Sequence, residues 1–306
     1  MKKISFKDKF RIWLLSHPKY NPYKFSLKKF FRNLTSSFRV LPNFIIIGSG
    51  RAGTTALYSY LIQHPSIFGA STENNESVAD LHFFEYMISD KISWYKSHFP
   101  TKLTKILYEA KSKNNFVTGE YTSTYMYNKN VPKRISELLP DVKIIIILRN
   151  PVDKAYSTYS QQYSFNEFSS SFEDTVHAEF QRIELCKSQP DLYTQNPDFE
   201  SNVITSIIRH GIYYDYLKTW TKFFKKNQIL IIDSEELKNS TQKTIDKVFN
   251  FLDVFPYKVD NLSKINVGKY SPINKKSRED LSEFYKPYNE KLNDLLDTNF
   301  KWNLEN

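Results

Sequence analysis

The stretch "FIIIGSGRAGTTALYSYL" (44–61) places a glycine-bearing turn between an apolar run and a helical pattern, the arrangement by which backbone N–H groups cradle a phosphate. A nucleotide triphosphatase loop, G-x-x-x-x-G-K-[ST], would carry lysine after its second glycine. Here Gly48 and Gly53 are followed by Thr54 and Thr55, and the cation, Arg51, sits inside the turn. The amides of Gly50, Arg51, Ala52, Gly53, Thr54 and Thr55 can ring one anion, with the two threonine hydroxyls as added donors. A single 5′-phosphate fits such a ring, and Arg51 can neutralise charge on it as a leaving group.

A second constellation lies in "LRNPVDKAYSTY" (148–159), where Arg149 ends an apolar run and Ser157 follows eight residues later. Both can converge on an anion at the same sheet edge. Taken singly, a strand-end arginine is more often a structural ion pair and a mid-helix serine more often solvated.

The elements that position these residues follow from periodicity. "FIII" (44–47), "KIIIIL" (143–148) and "QILIID" (228–233) read as continuous apolar strands. Ala56, Leu57, Tyr60 and Leu61 repeat at helical spacing from about Thr54, and "HPS" ends that helix. Pro151 suits the first turn of the next helix, with Asn150 as its N-cap. Continuous apolar strands alternating with helices predict an α/β fold with a central, mostly parallel sheet flanked by helices on both faces. The polar stretches "ASTENNESVADLHFFEY" (70–86) and "CKSQPDLYTQNPDFESNV" (186–203) are expected to be site loops, the second a lid.

Composition bounds the class. A 40% hydrophobic and 25% charged chain of 306 residues is that of a globular protein with a full core. Cys186, the single cysteine, excludes an internal disulfide and favours a reducing compartment. The longest apolar runs fall far short of the ~20 residues of a membrane span, and "IWLL" (12–15) is too short for a signal-peptide core. A cytoplasmic location, with peripheral membrane contact, is therefore expected.

Residues 1–40 carry eleven Lys or Arg and one acid, Asp8, whereas the remaining chain carries thirty-two of each sign. The expected organisation is a basic, aromatic-rich arm (1–40) and a single domain (41–306). The arm could lie on an anionic membrane surface or fold over the domain; nucleic acid is not an expected partner.

Taken together, "GSGRAGTT" and "LRNPVDKAYS" resemble the donor-binding motifs of the sulfotransferases that use 3′-phosphoadenosine 5′-phosphosulfate (PAPS), especially the heparan-sulfate type and its bacterial relatives. The resemblance runs from about Phe44 to Trp302. It implies that Arg51 to Thr55 bind the 5′-phosphosulfate and that Arg149 and Ser157 bind the 3′-phosphate. "DLHFFEY" (80–86) is similar to the family's "E-x-HFF", implying Asp80 as general base on the acceptor and His82 beside the sulfuryl group, with Glu76 and Glu85 as alternative bases. "NVGKY" (266–270) is similar to its late loop, implying Gly268 and Lys269 over the 3′-phosphate. The resemblance further implies a P-loop-like three-layer sandwich, a carbohydrate or glycolipid acceptor and no metal.

Three departures stand out. Arg51 replaces the more frequent lysine, Asp80 is a methylene shorter than glutamate, and Tyr121 stands where heparan-sulfate members have an acceptor-binding lysine. Glu120 is open between a structural and an acceptor-site role, and the aromatics of 211–224 are expected in the core. The rival class, a P-loop phosphotransferase, would need lysine at position 54; a non-catalytic basic-arm binding protein would leave both anion motifs without a role.

Overall fold

The computed structural model describes residues 27–71, 77–86, 92–164, 170–188, 207–262 and 271–302. Within them β1 (Phe44–Gly48), β2 (Ile67–Gly69), β3 (Val117–Tyr121), β4 (Lys143–Leu148) and β5 (Ile229–Asp233) form one sheet in the order β2-β3-β1-β4-β5. All four pairings are parallel, so crossovers are required and their helices cover both faces.

In chain order the helices are α1 (Leu27–Leu34), α2 (Thr54–Leu61), α3 (Phe83–Tyr86), α4 (Ile92–Ser97), α5 (Lys102–Ser112) and α6 (Val131–Leu138). They continue with α7 (Pro151–Ser164), α8 (Phe172–Ser188), α9 (Tyr213–Phe223), α10 (Ser234–Asn239), α11 (Thr241–Phe251) and α12 (Lys275–Leu296). The start of "CKSQPDLY", expected as a loop, instead ends α8. The rest of that expected lid lies outside the described residues.

Side chains alternate across a strand, so an all-apolar run supplies both faces. Ile45, Ile47, Ile144 and Ile146 pack on one side with Tyr95, Tyr125 and Trp220. Phe44, Ile46, Ile145 and Ile147 pack on the other with Leu57, Leu61 and Phe249. The aromatic α9 contributes Tyr213, Leu217 and Trp220 to the first core, as its spacing predicts.

β3 lies between β2 and β1, yet no sequence pattern marks it as a strand. Its sequence, "VTGEY", has no apolar run. Gly119 is required because a Cβ there would lie 2.4 Å from the Phe44 ring. Thr118 is tolerated because its N–H donates to Asn43 Oδ1 at 3.0 Å and its Oγ1 to Phe68 O at 2.5 Å.

From β1 the chain crosses toward β2, and from β4 it crosses toward β5. The adjacent β1 and β4 therefore send their following segments to opposite sides, opening a crevice at their C-terminal ends. The 48–55 and 148–157 segments both begin there. The described part of the N-terminal segment is fastened to the domain, with Arg32 Nε donating to Ser97 O at 2.7 Å and Arg39 Nη1 to Phe99 O at 2.6 Å.

Candidate active site

β1 ends at Gly48 and α2 begins at Thr54, leaving a turn whose tightness depends on unusual backbone. A Cβ on Gly48 would lie 2.9 Å from Met126 Cβ and 3.1 Å from Ser123 O, so the turn presses directly on the 123–126 segment. Gly53 is left-handed at φ 105°, and Arg51 adopts φ 66° without being glycine. Left-handed backbone in a non-glycine residue costs of order 1–3 kcal/mol and persists where surroundings hold it. Here Arg149 Nη1 donates to Arg51 O at 3.1 Å, and Arg51 Nε donates to Ser157 Oγ at 3.3 Å. Two motifs about a hundred residues apart are thereby one unit.

Arg149 is itself braced by the Tyr213 hydroxyl, which donates to its carbonyl at 2.8 Å. Asn150 Oδ1 accepts from Val152 N–H at 3.0 Å, the expected N-cap of α7. The first N–H groups of α2 have no carbonyl within their own helix to bond, which suits them to an anion. Thr54 is buried beside them and Thr55 half-buried.

Lys154, one turn before Ser157 on α7, escaped the sequence reading. It is buried, with Nζ 5.4 Å from the centre of the Tyr127 ring. Burial lowers its pKa to about 7; Glu179 opposes that shift and Arg149 adds to it. The helical i, i+3 spacing to Ser157 was its only signal.

The acidic segment approaches the same turn. Asp80 N–H donates to Tyr121 O at 3.0 Å, extending the sheet edge past β3. Asp80 and His82 are both left-handed, at φ 46° and 53°, flanking the buried Leu81. Asp80 Oδ1 accepts from Ser123 N–H at 3.1 Å and Ser123 Oγ at 3.4 Å, and Ser123 O is the neighbour of Gly48 named above. Among the described residues Asp80 Oδ2 has no hydrogen bond.

His82 Nδ1 lies 2.6 Å from Glu85 Oε2, which also accepts from Thr124 Oγ1 at 3.0 Å. Burial alone would lower the imidazole's pKa, but the hydrogen bond and charge of Glu85, with the charges of Asp80 and Glu120, raise it overall. Glu85 is thus occupied in holding His82, a pairing its i, i+3 spacing allows. Tyr121 is buried against Tyr58, ring centres 4.8 Å apart, and so is not an exposed stand-in for a lysine. Glu76, Gly268 and Lys269 lie outside the described residues.

Glu120 is fully buried, accepting from Tyr95 OH at 2.7 Å and Thr122 Oγ1 at 2.9 Å. Burial raises its pKa from 4.5 to about 7, against the lowering effect of those two hydrogen bonds. The folded state therefore holds this proton more tightly than the unfolded chain. Its stabilising contribution is complete below pH 4.5 and is lost as pH rises through about 7. Glu120→Gln should consequently flatten the fall in urea midpoint between pH 5 and pH 8; superimposable pH profiles for the two proteins would refute this assignment.

The family model of the sulfotransferase domain matches residues 41–292. The human bifunctional heparan sulfate N-deacetylase/N-sulfotransferase 3 is 30% identical over 283 residues, covering 84% of this chain and 30% of that protein. The membrane-associated sulfotransferase kil1 of Dictyostelium discoideum is 26% identical over 326 residues, covering 86% of this chain and 66% of that one. Among solved structures, a sulfotransferase from Alicyclobacillus acidocaldarius superposes with a TM-score of 0.65 at 22% identity, over 87% of this chain and all of that one. This last likeness supports the shared fold. The chain thus spans under a third of the length of its heparan-sulfate relatives.

Proposed function

This chain belongs to the sulfotransferase domain family, and from that premise we propose that it moves the sulfuryl group of PAPS to a hydroxyl or amine of a carbohydrate or glycolipid. The observation that carries the reading is the Arg149–Arg51–Ser157 linkage, which joins the 48–55 and 148–157 segments side by side in one crevice. A donor with separate 5′ and 3′ phosphates matches that pairing, whereas a triphosphate would call for the missing lysine.

In this reading the amides from Gly50 through Ala52 and Gly53 to Thr55, with both threonine hydroxyls and Arg51, hold the 5′-phosphate. Arg149 and Ser157 hold the 3′-phosphate, with Gly268 and Lys269 closing over it. Bound PAPS supplies an activated sulfur, which bonds to the acceptor oxygen or nitrogen as its bond to the 5′-phosphate oxygen breaks. Asp80, anchored through Oδ1, takes the acceptor proton on Oδ2. His82, whose protonated form the Glu85 carboxylate favours, stabilises negative charge on the sulfuryl oxygens, and Arg51 does so on the departing phosphate. Positioning and charge neutralisation supply most of the catalysis, as in phosphoryl transfer.

The acceptor class rests on the heparan-sulfate names of the relatives. Among the described residues no helix is long and apolar enough to cross a membrane, and a cytoplasmic, peripherally attached enzyme is the location we propose.

The test is a thermal-shift comparison. Adenosine 3′,5′-bisphosphate at a hundred times its Kd should stabilise the fold by ~2.7 kcal/mol, raising the melting temperature by several degrees. ATP with Mg²⁺ should shift it much less. An equal or larger shift with ATP and Mg²⁺ would transfer the chain to the phosphotransferase reading.

A further inference from the structure

Helix α5 is amphipathic in an unusual sense, because none of its residues is buried and its most apolar stripe faces outward. Its inner face is polar-aromatic. Tyr108 packs edge-on against Phe68, ring centres 5.3 Å apart, and its hydroxyl meets Ser66 Oγ at 2.7 Å. On the opposite side Leu103, Ile106 and Leu107, at i, i+3 and i+4, are 62%, 61% and 60% exposed. The exposed Lys102 and Lys111 project on either flank of that stripe.

The apolar surface continues onto the N-terminal segment. Arg39 and Thr101 form an antiparallel bridge, and Val40 N–H donates to Pro100 O at 3.0 Å, which sets Phe38 beside the start of α5. Phe38 and Leu34 are 67% and 65% exposed. Scattered exposed apolar residues are ordinary, but a helical stripe joined to further exposed aromatic and aliphatic side chains marks an interaction surface.

We propose that this surface, formed by α5 and the 31–38 segment, lies in the interface of an anionic lipid bilayer. Charge decides between occupants. In a twofold dimer the same patch would meet itself, setting lysines against lysines. An anionic bilayer instead complements both the flanking lysines and the N-terminal forty residues, with their eleven basic side chains and one acid. The apolar stripe enters the acyl boundary while the lysines remain at headgroup level. The surface adjoins the N-terminal ends of β1 and β3, where Asn43 N–H bonds Thr118 O, at the opposite end of the sheet from the phosphate-binding turn. A docked enzyme would therefore keep its crevice turned from the lipid. The proposal is independent of the donor and acceptor assigned above.

The experiment is flotation of the full chain with phosphatidylcholine vesicles, with and without phosphatidylserine, at low and raised salt. The full chain should float with the anionic vesicles only, and less at high salt. Leu103→Ser/Ile106→Ser/Leu107→Ser should lower partitioning by at least about tenfold, and each of Lys102→Gln and Lys111→Gln by about fivefold. All are exposed positions, and unchanged circular dichroism and urea midpoint would establish that the variants fold. Undiminished flotation of the triple variant would overturn the proposal by leaving the basic N-terminal residues sufficient. Failure of the full chain to float would overturn it too. So would a concentration-dependent dimer that the triple variant abolishes without any vesicle binding, which would give the surface to a second copy.

Discussion

Asp80→Asn is expected to lower kcat by about 10²- to 10⁴-fold, the usual range for loss of a general base, with affinity for adenosine 3′,5′-bisphosphate unchanged. The isosteric amide is the informative replacement because its oxygen can still accept from Ser123 N–H, as Asp80 Oδ1 does at 3.1 Å. The contact between the Asp80 segment and the Tyr121–Ser123 segment should then survive while the proton acceptor is lost. Glu85→Gln is the partner experiment. Its carboxylate is engaged by His82 Nδ1 at 2.6 Å and Thr124 Oγ1 at 3.0 Å, so its loss should lower the His82 pKa rather than remove the base. The expected signature is a fall in activity on the alkaline side, as His82 loses its proton at a lower pH. Near-normal turnover in Asp80→Asn, with collapse in Glu85→Gln at every pH, would reassign the base to Glu85; full activity in both would remove this segment from proton transfer.

Arg149→Ala is expected to weaken binding of adenosine 3′,5′-bisphosphate by ~1.5–3 kcal/mol, the value of a hydrogen bond to a charged group, or roughly 10- to 150-fold in Kd. The variant should no longer distinguish 3′-phosphorylated from unphosphorylated nucleotide. Arg149 also holds the carbonyl of Arg51 at 3.1 Å, so truncation could act through the turn instead. Adenosine 5′-phosphate separates the two effects: binding weakened as much as the bisphosphate's would mean that Arg149 serves the turn and not the 3′-phosphate. Arg149→Lys should restore charge but not the fork that reaches both a phosphate and a carbonyl, and so recover only part of the loss.

The acidic and basic residues of the crevice are not independent. Asp80 hangs from Ser123, whose carbonyl packs on Gly48; Arg51 is held from behind by Arg149, itself braced by Tyr213. A displacement in any one of these supports would move donor and acceptor groups together. This shared support explains why Gly48, which contacts no substrate in the proposed reading, is as constrained as the residues that do.

The chain's own order of residues determined the β1, β4 and β5 strands, the turn at 48–53 and the start of α7 at Pro151. Each has a local cause: an unbroken apolar run, a left-handed glycine, a proline that fits a first helical turn. Local patterns also bring Arg51 and Arg149 forward as chemistry-bearing residues, whereas Asp80 and His82 come forward only through the family resemblance. Only the tertiary structure decided how they meet. β3 carries Gly and Glu where a strand pattern would show Val or Ile, and it forms because Phe44 needs the space over Gly119 and neighbouring strands satisfy its backbone. Glu85 looked interchangeable with Asp80 until Thr124 and His82 were seen to occupy it. Lys154 and Glu120 acquire shifted pKa values from burial by distant residues, and Leu103, Ile106 and Leu107 face outward while Tyr108 takes the inner position. Propensity and capping act over a few neighbouring residues, whereas desolvation and side-chain pairing depend on which remote segments the sheet order brings into contact.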